Sequence, residues 1–399
     1  MWGRNPIDKW AKNGYNRYRE VCRSSLSNKN RRDCAGVCRR HPANKKPKSF
    51  LRGNSGSPFV VVIVDFFERG YAMDCNFMTA EGRFNFRAAA VISHGGKLLG
   101  MRDKADSDHF HYLPGGRVHL NETMEEALQR EIWEELGVSA RVVRPLWLRE
   151  SLDGGDEPPY HGFEMYFLVE LDWGALPSLE GPFDRVDSDG CRHSFQWLEL
   201  GNSPDYIHPD FVQESFPNLP ERLTLVRDKN GPAALPGGDV KSSTPEGLFN
   251  FRTAGVFVRN GLLLAMKEPD IDHYYLPGGR VRMNETMEEA LRREMGEELG
   301  LGARAIRPLW LCESFFVPGD RPVHEIAMYY LAELDWEGLP ALEGEFTRAD
   351  SDGEEHIYRW LTEEEVRSVR IYPVPMQECW PELPEEFTFY SDVRDRRTL

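Results

Sequence analysis

The sequence has little of what marks a membrane or a secreted protein. Its apolar runs, such as the one at 59–64 that is followed by Asp65, are far shorter than the roughly 20 residues that a membrane-spanning helix needs. Lys9 and Lys12 interrupt the region where a secretory signal would have its apolar segment. The seven cysteines, an odd number scattered over a long chain, do not suit a disulfide framework. We therefore expect no membrane span and a cytoplasmic protein.

The chain also lacks an excess of positive charge. Its formal net charge of −16 argues against a general nucleic-acid binder, because an acidic surface repels phosphate unless metal ions or local basic clusters intervene. With 399 residues, 40% of them apolar, the chain is long enough for two globular domains with buried cores. Small phosphate compounds bound through a metal ion are compatible with this composition.

An internal duplication organises most of the chain. The sequence Phe-Asn-Phe-Arg at 84–87 recurs at 249–252, and Arg-Pro-Leu-Trp-Leu at 144–148 recurs at 307–311. The repeating unit has the size of a whole domain, so each copy is expected to bury its own core. We predict domain 1 at 82–228 and domain 2 at 247–395. The segment between them, 229–246, is rich in Gly, Pro, Ala and Ser and is predicted to be a linker that does not pack.

Residues 1–80 have no sequence counterpart in the repeat, and they are basic as far as Arg52. We expect this segment to be disordered; a basic arm for nucleic acid or a membrane surface is the functional alternative. Three cysteines, at 22, 34 and 38, suggest a zinc site, but no second cluster follows them. Translation from an internal start, Met73 or Met78, is a further alternative.

The residue pattern of each copy predicts a mixed α/β domain. A helix is predicted after a glycine-rich turn, over Met124–Leu136 in the first copy and Met287–Leu299 in the second. Thr123 with Glu126, and the same pair in the second copy, form capping boxes, and Gly137 suits the left-handed position after the helix. The predicted strands are 84–91, 97–101, 141–150, 165–171 and 194–198, then 249–258, 262–266, 303–313, 327–334 and 357–361.

One spacing of charged residues and glycines occurs in both copies. A glycine is followed after six positions by a glutamate, and after eight more by Arg-Glu-x-x-Glu-Glu-x-Gly. The first copy, the first box at 116–138, has Gly116, Glu122, Arg130, Glu131, Glu134 and Glu135, and the second box at 279–301 has Gly279, Glu285, Arg293, Glu294, Glu297 and Glu298.

The last three glutamates of each box are spaced i, i+3 and i+4, so they crowd one helix face near its C-terminal end. Like charges beside the negative end of a helix dipole repel each other, and a hard cation among them removes that cost. We expect Mg²⁺, with Mn²⁺ as an alternative. A solvated glutamate-rich surface accounts for Glu125, Glu126, Glu288 and Glu289, but not for glycine and arginine at fixed offsets twice.

The spacing Gly-x5-Glu-x7-Arg-Glu-U-x-Glu-Glu-x-Gly-U, in which U is apolar, is similar to the Nudix box. The chain resembles a tandem MutT/Nudix protein over about three quarters of its length. The resemblance implies an α/β/α sandwich with a mixed sheet in each domain. It also implies metal-dependent attack of water on a phosphorus in nucleoside diphosphate-linked substrates.

The resemblance implies a role for each box residue. The metal ligands are Gly116, Glu131, Glu134 and Glu135 in the first copy, and Gly279, Glu294, Glu297 and Glu298 in the second. Glu131 and Glu294 are the expected bases, although a glutamate outside the box serves in some members. Arg130 and Arg293 orient the neighbouring glutamates. Glu122 and Glu285 support the loop or an outer metal.

Outside the boxes, four residues are candidates for substrate contacts, with packing as the alternative: Arg87, Tyr112, Arg252 and Tyr275. His161 and His324 also recur, but we expect a structural role for them. Glu164 has Ala327 as its counterpart in the second copy, and Glu325 has Gly162 as its counterpart in the first. The residue patterns that mark three substrate subclasses of the family, the ADP-ribose, dinucleoside-polyphosphate and coenzyme-A types, do not appear, so the sequence leaves the leaving group open.

The leading hypothesis is a hydrolase with two competent sites. A sensor that binds a nucleotide derivative without turnover, or one catalytic and one architectural domain, are the alternatives. The two domains are expected to pair within one chain, or the chain to form a homodimer.

Overall fold

A computed structural model describes residues 73–103, 109–172, 174, 182–186, 190–200, 204–232, 234–338, 344–349 and 353–393. The zinc site and the basic arm concern residues before 73 and lie outside this range. The segment predicted to be disordered, 1–80, is described only from 73, where residues 76–78 form a strand and correct that prediction. Among the described residues, no helix has both the length and the apolar content to cross a membrane.

The first repeat forms two sheets. Its strands are β1 Asn76–Met78, β2 Arg83–Val91, β3 Ser93–His94, β4 Lys97–Asp103, β5 Phe110–Tyr112, β6 Gly115–Arg117, β7 Ala140–Asp153, β8 Tyr160–Leu171, β9 Phe183–Val186, β10 Arg192–Leu198, β11 Tyr206–His208 and β12 Thr224–Asn230. Its helices are α1 Met124–Leu136 and α2 Asp210–Ser215. One sheet has the order β1-β2-β8-β7-β12, with β6 on β2, and the other has the order β11-β5-β4-β10-β9, with β3 on β4. Parallel and antiparallel pairs occur in both sheets, so the sheets are mixed as predicted.

The second repeat follows the same plan in one joined sheet. Its strands are β13 Lys241–Thr244, β14 Gly247–Arg259, β15 Leu262–Lys267, β16 Tyr274–Tyr275, β17 Ala303–Phe316, β18 Val323–Leu334, β19 Glu345–Ala349, β20 Glu355–Leu361, β21 Ile371–Tyr372 and β22 Thr388–Asp392. Its α-helices are α3 Met287–Leu299, α4 Glu363–Ser368 and α5 Val374–Cys379. The sheet order is β19-β20-β15-β14-β18-β17-β22. Here β14 is long enough to pair with both β18 and β15, which joins the two parts.

Helices cover both faces of the sheets. In the first repeat, Phe86 on β2 and Leu128 on α1 belong to one buried cluster. Ala89, on the opposite face of β2, packs in another cluster with Val212 of α2. Alternate residues of one strand therefore point to different helices, as the α/β/α sandwich requires.

Two features correct the predicted organisation. β13 lies within the segment predicted to be an unpacked linker, yet it pairs with β14, and Val240 beside it is fully buried. β1 is its structural counterpart: Cys75 donates a backbone hydrogen bond to the Val118 carbonyl at 2.8 Å, as Val240 does to Val281 at 2.7 Å. The duplication therefore begins near residues 73 and 238. Sequence comparison missed it because these backbone-paired strands share almost no side chains.

The two repeats contact each other through aromatic residues. The rings of Phe84 and Phe249, equivalent residues of the two copies, have centroids 5.8 Å apart, and those of Phe163 and Phe251 are 4.8 Å apart. His161 and His324 are fully buried beside these rings, which places them in the core. One hydrophobic cluster spans both repeats.

Candidate active sites

Each box forms a strand or loop followed by a capped helix. The Thr123 hydroxyl accepts from the Glu126 amide, and the Glu126 side chain accepts from the Thr123 amide, so the predicted capping box is confirmed. Gly137 ends α1 with a φ of 71°, in the left-handed region that favours glycine. α3 has the same caps. Both helices begin and end at the predicted residues because short-range signals alone define them.

The glycine of each box lies against the first glutamate of its helix. A Cβ at position 116 would lie 2.2 Å from the carboxylate carbon of Glu131, and one at position 279 would lie 2.3 Å from that of Glu294. A side chain at either position would therefore displace the carboxylate. Glycine therefore lets the carboxylate reach the backbone of the loop, where a carbonyl oxygen and a carboxylate can share a ligand.

Arg130 is the centre of the first site. Its Nε donates to Glu122 Oε1 at 2.8 Å and its Nη2 to Glu122 Oε2 at 3.0 Å, a bidentate pair. Its Nη1 donates to Glu131 Oε1 at 2.7 Å and to Glu134 Oε2 at 3.3 Å. Glu122 is buried and accepts from the backbone amide of His119 at 3.1 Å. One arginine therefore ties the loop to two of the three helix carboxylates.

The second site repeats this network and adds a cation. Arg293 Nε donates to Glu285 Oε2 at 3.0 Å, and its Nη1 donates to Glu294 at 2.6 Å and to Glu297 at 3.0 Å. Arg282 also donates to both oxygens of Glu297, at 3.1 and 3.2 Å. The first site has His119 at the position of Arg282, and this imidazole lies 3.3 Å from Asp74 and 3.5 Å from Glu122. Two arginines thus hold Glu297, whereas one holds Glu134.

The last glutamate of each box, Glu135 or Glu298, is buried. Glu135 accepts from the Gly115 amide at 3.1 Å, and burial, together with the charge of Glu131, raises the pKa of Glu135 to about 8. Burial also raises the pKa of Glu134 and that of Glu294. Glu298 accepts from the Tyr358 hydroxyl at 3.0 Å, a donor that the first copy lacks because Phe195 takes its place. Burial therefore disfavours the charged form of Glu134, Glu135 and Glu294, and a cation bound among them would offset that cost.

The donor atoms of both boxes fit a hard divalent cation. They are all oxygens, from carboxylates and from the glycine loop, which are the ligands that such cations take. Among the described residues, no three or more His, Cys, Asp or Glu side chains are arranged so that they could hold a metal ion together. A guanidinium lies between two of the three carboxylates instead. The Glu134 and Glu297 side chains are 33% and 29% exposed, so they have room to turn towards an ion.

The candidate substrate residues outside the boxes make contacts with the glycine-rich turn or with the hydrophobic core. Arg87 donates to the carbonyls of Leu113 and Gly115 at 3.1 and 2.9 Å. Arg252 donates to Gly278 at 3.2 Å, its guanidinium lies 5.9 Å from the ring centre of Tyr275, and its Nε is buried without a hydrogen-bond partner in the described structure. Tyr112 is partly buried against the hydrophobic core. These contacts support a packing role, and a substrate role for the four residues stays a prediction.

Beyond Arg87, the two sites have different surroundings. In the first, Arg149 donates to Glu164 at 3.1 Å and to Asp228 at 2.6 Å, and the Tyr166 hydroxyl also donates to Glu164. The second copy has Cys312 and Ala327 at the positions of Arg149 and Glu164. Its own carboxylate, Glu325, accepts from Asn250 at 2.6 Å. The divergence seen in the sequence therefore lies on the sheet face that also carries Arg87 and Arg252.

Two buried glutamates next to the box helices were not anticipated. Glu150 and Glu313 occupy equivalent positions in β7 and β17, and each accepts a hydrogen bond from the other repeat. A signal was present: both copies keep Glu-Ser at this point of a strand that is otherwise largely buried.

Comparisons with known proteins agree with this geometry. The NUDIX domain model matches residues 84–209 and 250–378. A MutT-like protein of Streptomyces ambofaciens is 42% identical over 155 residues, which cover 38% of this chain and 86% of that protein. Phosphatase NudJ of Escherichia coli K12 is 31% identical over 104 residues, 26% of this chain and 63% of that one.

Among solved structures, the MutT protein from Bacillus halodurans matches with a TM-score of 0.27 and 16% identity, covering 36% of this chain and 88% of that one. The family match covers more than half of the chain and contains both boxes. Members of this family generally use a divalent metal. The chain belongs to the Nudix hydrolase family and carries two Nudix domains.

Proposed function

We propose that both domains hydrolyse a pyrophosphate bond in nucleoside diphosphate-linked or related small phosphorylated molecules, with Mg²⁺ bound at each box. The observation that carries the proposal is the repeated set of glycine loop, arginine and three helix carboxylates, complete in both copies. Intact carboxylates in both copies favour two enzymes over a sensor. A sensor needs no such set.

Mg²⁺ would be held by Glu131, Glu134, Glu135 and the Gly116 carbonyl in domain 1, and by their counterparts Glu294, Glu297, Glu298 and Gly279 in domain 2. When bound, it supplies positive charge for the phosphate oxygens and makes a water molecule more acidic. Mn²⁺ has the same oxygen preference and is expected to substitute.

The side chains of the box have separate tasks in this proposal. Arg130 occupies Oε1 of Glu131, so the proton taken from the attacking water goes to Oε2 of Glu131. In domain 2, Arg293 occupies Oε1 of Glu294 in the same way. Glu122 and Glu285 hold the two arginines in place, and the arginines in turn fix the direction of the base.

The test is release of nucleoside monophosphate, and of pyrophosphate from nucleoside triphosphates, from a panel of nucleotides, dinucleotides and sugar nucleotides with Mg²⁺, with the products separated by chromatography. The full chain is compared with Glu134→Gln, Glu297→Gln and the double variant. Each single variant is expected to lose part of the activity, and the double variant more than about 100-fold, because ligand loss costs more than the 10–100-fold that supporting residues cost.

Background rates from the full chain on every substrate would contradict the hydrolase proposal and favour the sensor. Complete loss from one single variant would assign catalysis to one domain and an architectural role to the other.

A further inference from the structure

The first amide of each box helix has its hydrogen-bond partner in the other domain. The first four amides of an α-helix have no partner inside the helix. The Thr123 hydroxyl serves the Glu126 amide, and the first amide, that of Met124, donates to Glu313 Oε1 at 2.9 Å. Glu313 lies on β17 of domain 2 and is fully buried.

The opposite contact is equivalent. The Met287 amide, the first of α3, donates to Glu150 Oε1 at 2.6 Å. Glu150 lies on β7 of domain 1 and is 2% exposed. Because each helix carries the three carboxylates of its own site, each site has its helix anchored by a strand of the other domain.

Carboxylates are well suited to this position. An anion at a helix N-terminus is stabilised by the helix dipole and by the free amides. A buried carboxylate, in turn, is costly unless hydrogen bonds and charges satisfy it. The amide and the carboxylate therefore stabilise each other across the two domains.

Further contacts support the two anchors unequally. Arg227 on β12 donates to Glu150 at 3.4 Å and pairs with Glu288, in the first turn of α3, at 3.0 Å. Arg227 also donates to the Tyr330 hydroxyl of domain 2 at 2.9 Å. On the other side, Glu313 accepts from the Ser391 hydroxyl at 3.0 Å and lies 3.5 Å from His324. A cation supports the anchor of α3, and neutral or weakly basic groups support that of α1.

We propose that Glu150 and Glu313 are positioning residues, and that each fixes the start of the box helix in the opposite domain. Each site is then complete only when the two domains pair within one chain. Pairing within the chain, which the sequence left as an alternative to a homodimer, is part of this proposal. Its consequence for hydrolysis rests on the proposed function, but its consequence for helix stability does not.

The experiment is hydrogen exchange by mass spectrometry on the full chain, read separately over 124–136 and 287–299. The variants are Glu313→Gln and Glu313→Ala, with Glu150→Gln and Glu150→Ala as the reciprocal pair. Glutamine keeps the size of the side chain, so it carries the test if an alanine variant does not fold. Glu170→Gln and Glu333→Gln are matched controls, because these glutamates are equivalent, half exposed and paired only with exposed arginines.

Changing Glu313 is expected to speed exchange at the start of α1 by about tenfold or more, with a smaller change in α3, and changing Glu150 is expected to do the reverse. The controls are expected to leave both helices unchanged. If each substitution loosened the helix of its own domain more, or both helices equally, the proposal would be overturned.

A second readout uses hydrolysis in single-site backgrounds. With Glu297→Gln present, only domain 1 is expected to work, and adding Glu313→Gln should lower kcat more than adding Glu150→Gln does. With Glu134→Gln present, the order should invert. No hydrolysis in any form would contradict the proposed function, while the exchange pattern would still decide the positioning role.

Discussion

The two boxes differ less in their own residues than in what surrounds them. Both have one arginine that binds a buried glutamate through its Nε and Nη2. The Nη1 of the same arginine binds two helix carboxylates. Around this shared core, domain 2 adds Arg282 on Glu297 and Tyr358 on Glu298, whereas domain 1 adds Arg149 with Glu164 on the adjoining sheet face. The comparison separates the chemistry, which is duplicated, from the surroundings, which have diverged.

This difference has a functional meaning. A carboxylate with two arginine partners must give up more favourable contacts before it can bind a cation than a carboxylate with one. Domain 1 is therefore expected to bind divalent metal more readily. Because different polar groups lie beside Arg87 and Arg252, we expect that the two domains need not act on the same substrate.

The largest expected effect concerns the shared core. Arg130→Ala leaves Glu122 buried and without its cation, and such a loss costs about 3 to 5 kcal/mol. Arg293→Ala should cost about as much, because Glu285 is equally buried. The free energy of unfolding from urea titration is the measurement. Arg141→Ala, which breaks an exposed pair, is the control and should cost less than about 1 kcal/mol. A loss in the free energy of unfolding below about 1 kcal/mol for Arg130→Ala or Arg293→Ala would contradict the role of these arginines in both sites.

The next effect is the pH dependence of stability that Glu150 causes. Burial raises the pKa of Glu150 from 4.5 to about 7. Because the folded state then holds the proton more tightly than the unfolded state, the stabilising contribution is complete below pH 4.5 and is lost as the pH rises through about 7.

In Glu150→Gln this pH dependence is absent, so the stability difference between the two proteins should shift in favour of the variant by up to about 3 kcal/mol as the pH rises from 4.5 to 8, whatever its value at pH 4.5. Urea titrations across this range measure it. A constant difference between the two proteins at all pH values would show that Glu150 does not titrate there.

A smaller effect concerns the outer side of the helices, where domain 1 has Trp133 and domain 2 has Gly296. A Cβ at position 296 would meet no atom within 4 Å. Gly296→Ala should therefore stabilise α3 by about 1 kcal/mol through helix propensity alone, with unchanged hydrolysis. Thermal unfolding measures the gain. Gly279→Ala is the contrasting variant, because its Cβ would collide with Glu294 and displace the carboxylate.

The smallest effect tests the divergent surroundings. Arg282→His gives domain 2 the residue of domain 1 and removes one ion pair from Glu297. Partly exposed pairs contribute about 0.2 to 1 kcal/mol, so Mn²⁺ should bind domain 2 up to about fivefold more tightly. Titration calorimetry in the Glu134→Gln background measures it. His119→Arg should weaken domain 1 by a similar factor, and an opposite sign in either variant would break the comparison.

The sequence predicted the parts of the molecule that depend on local signals. The two box helices have the predicted bounds because Thr123, Gly137 and their counterparts are short-range caps. Glu122 and Arg130 bind each other because their spacing places them on the same side of the loop and helix, while their roles in the site stay predictions.

What depends on distant contacts was missed. β1 and β13 pair through their backbones, which leaves little trace in the side chains. Glu150 and Glu313 serve helices that are 137 and 189 residues away in the chain. No periodicity connects such positions, although the repetition of a glutamate in a buried strand gave a hint.

The count of Mn²⁺ ions bound per chain tests the central claim of two metal sites most directly. The parent protein, Glu134→Gln, Glu297→Gln and the double variant are titrated under one set of conditions. Two equivalent boxes predict that each single variant loses about half of the tightly bound Mn²⁺ and that the double variant loses all of it. Loss of all bound Mn²⁺ from one single variant, or no loss from either, would contradict the account.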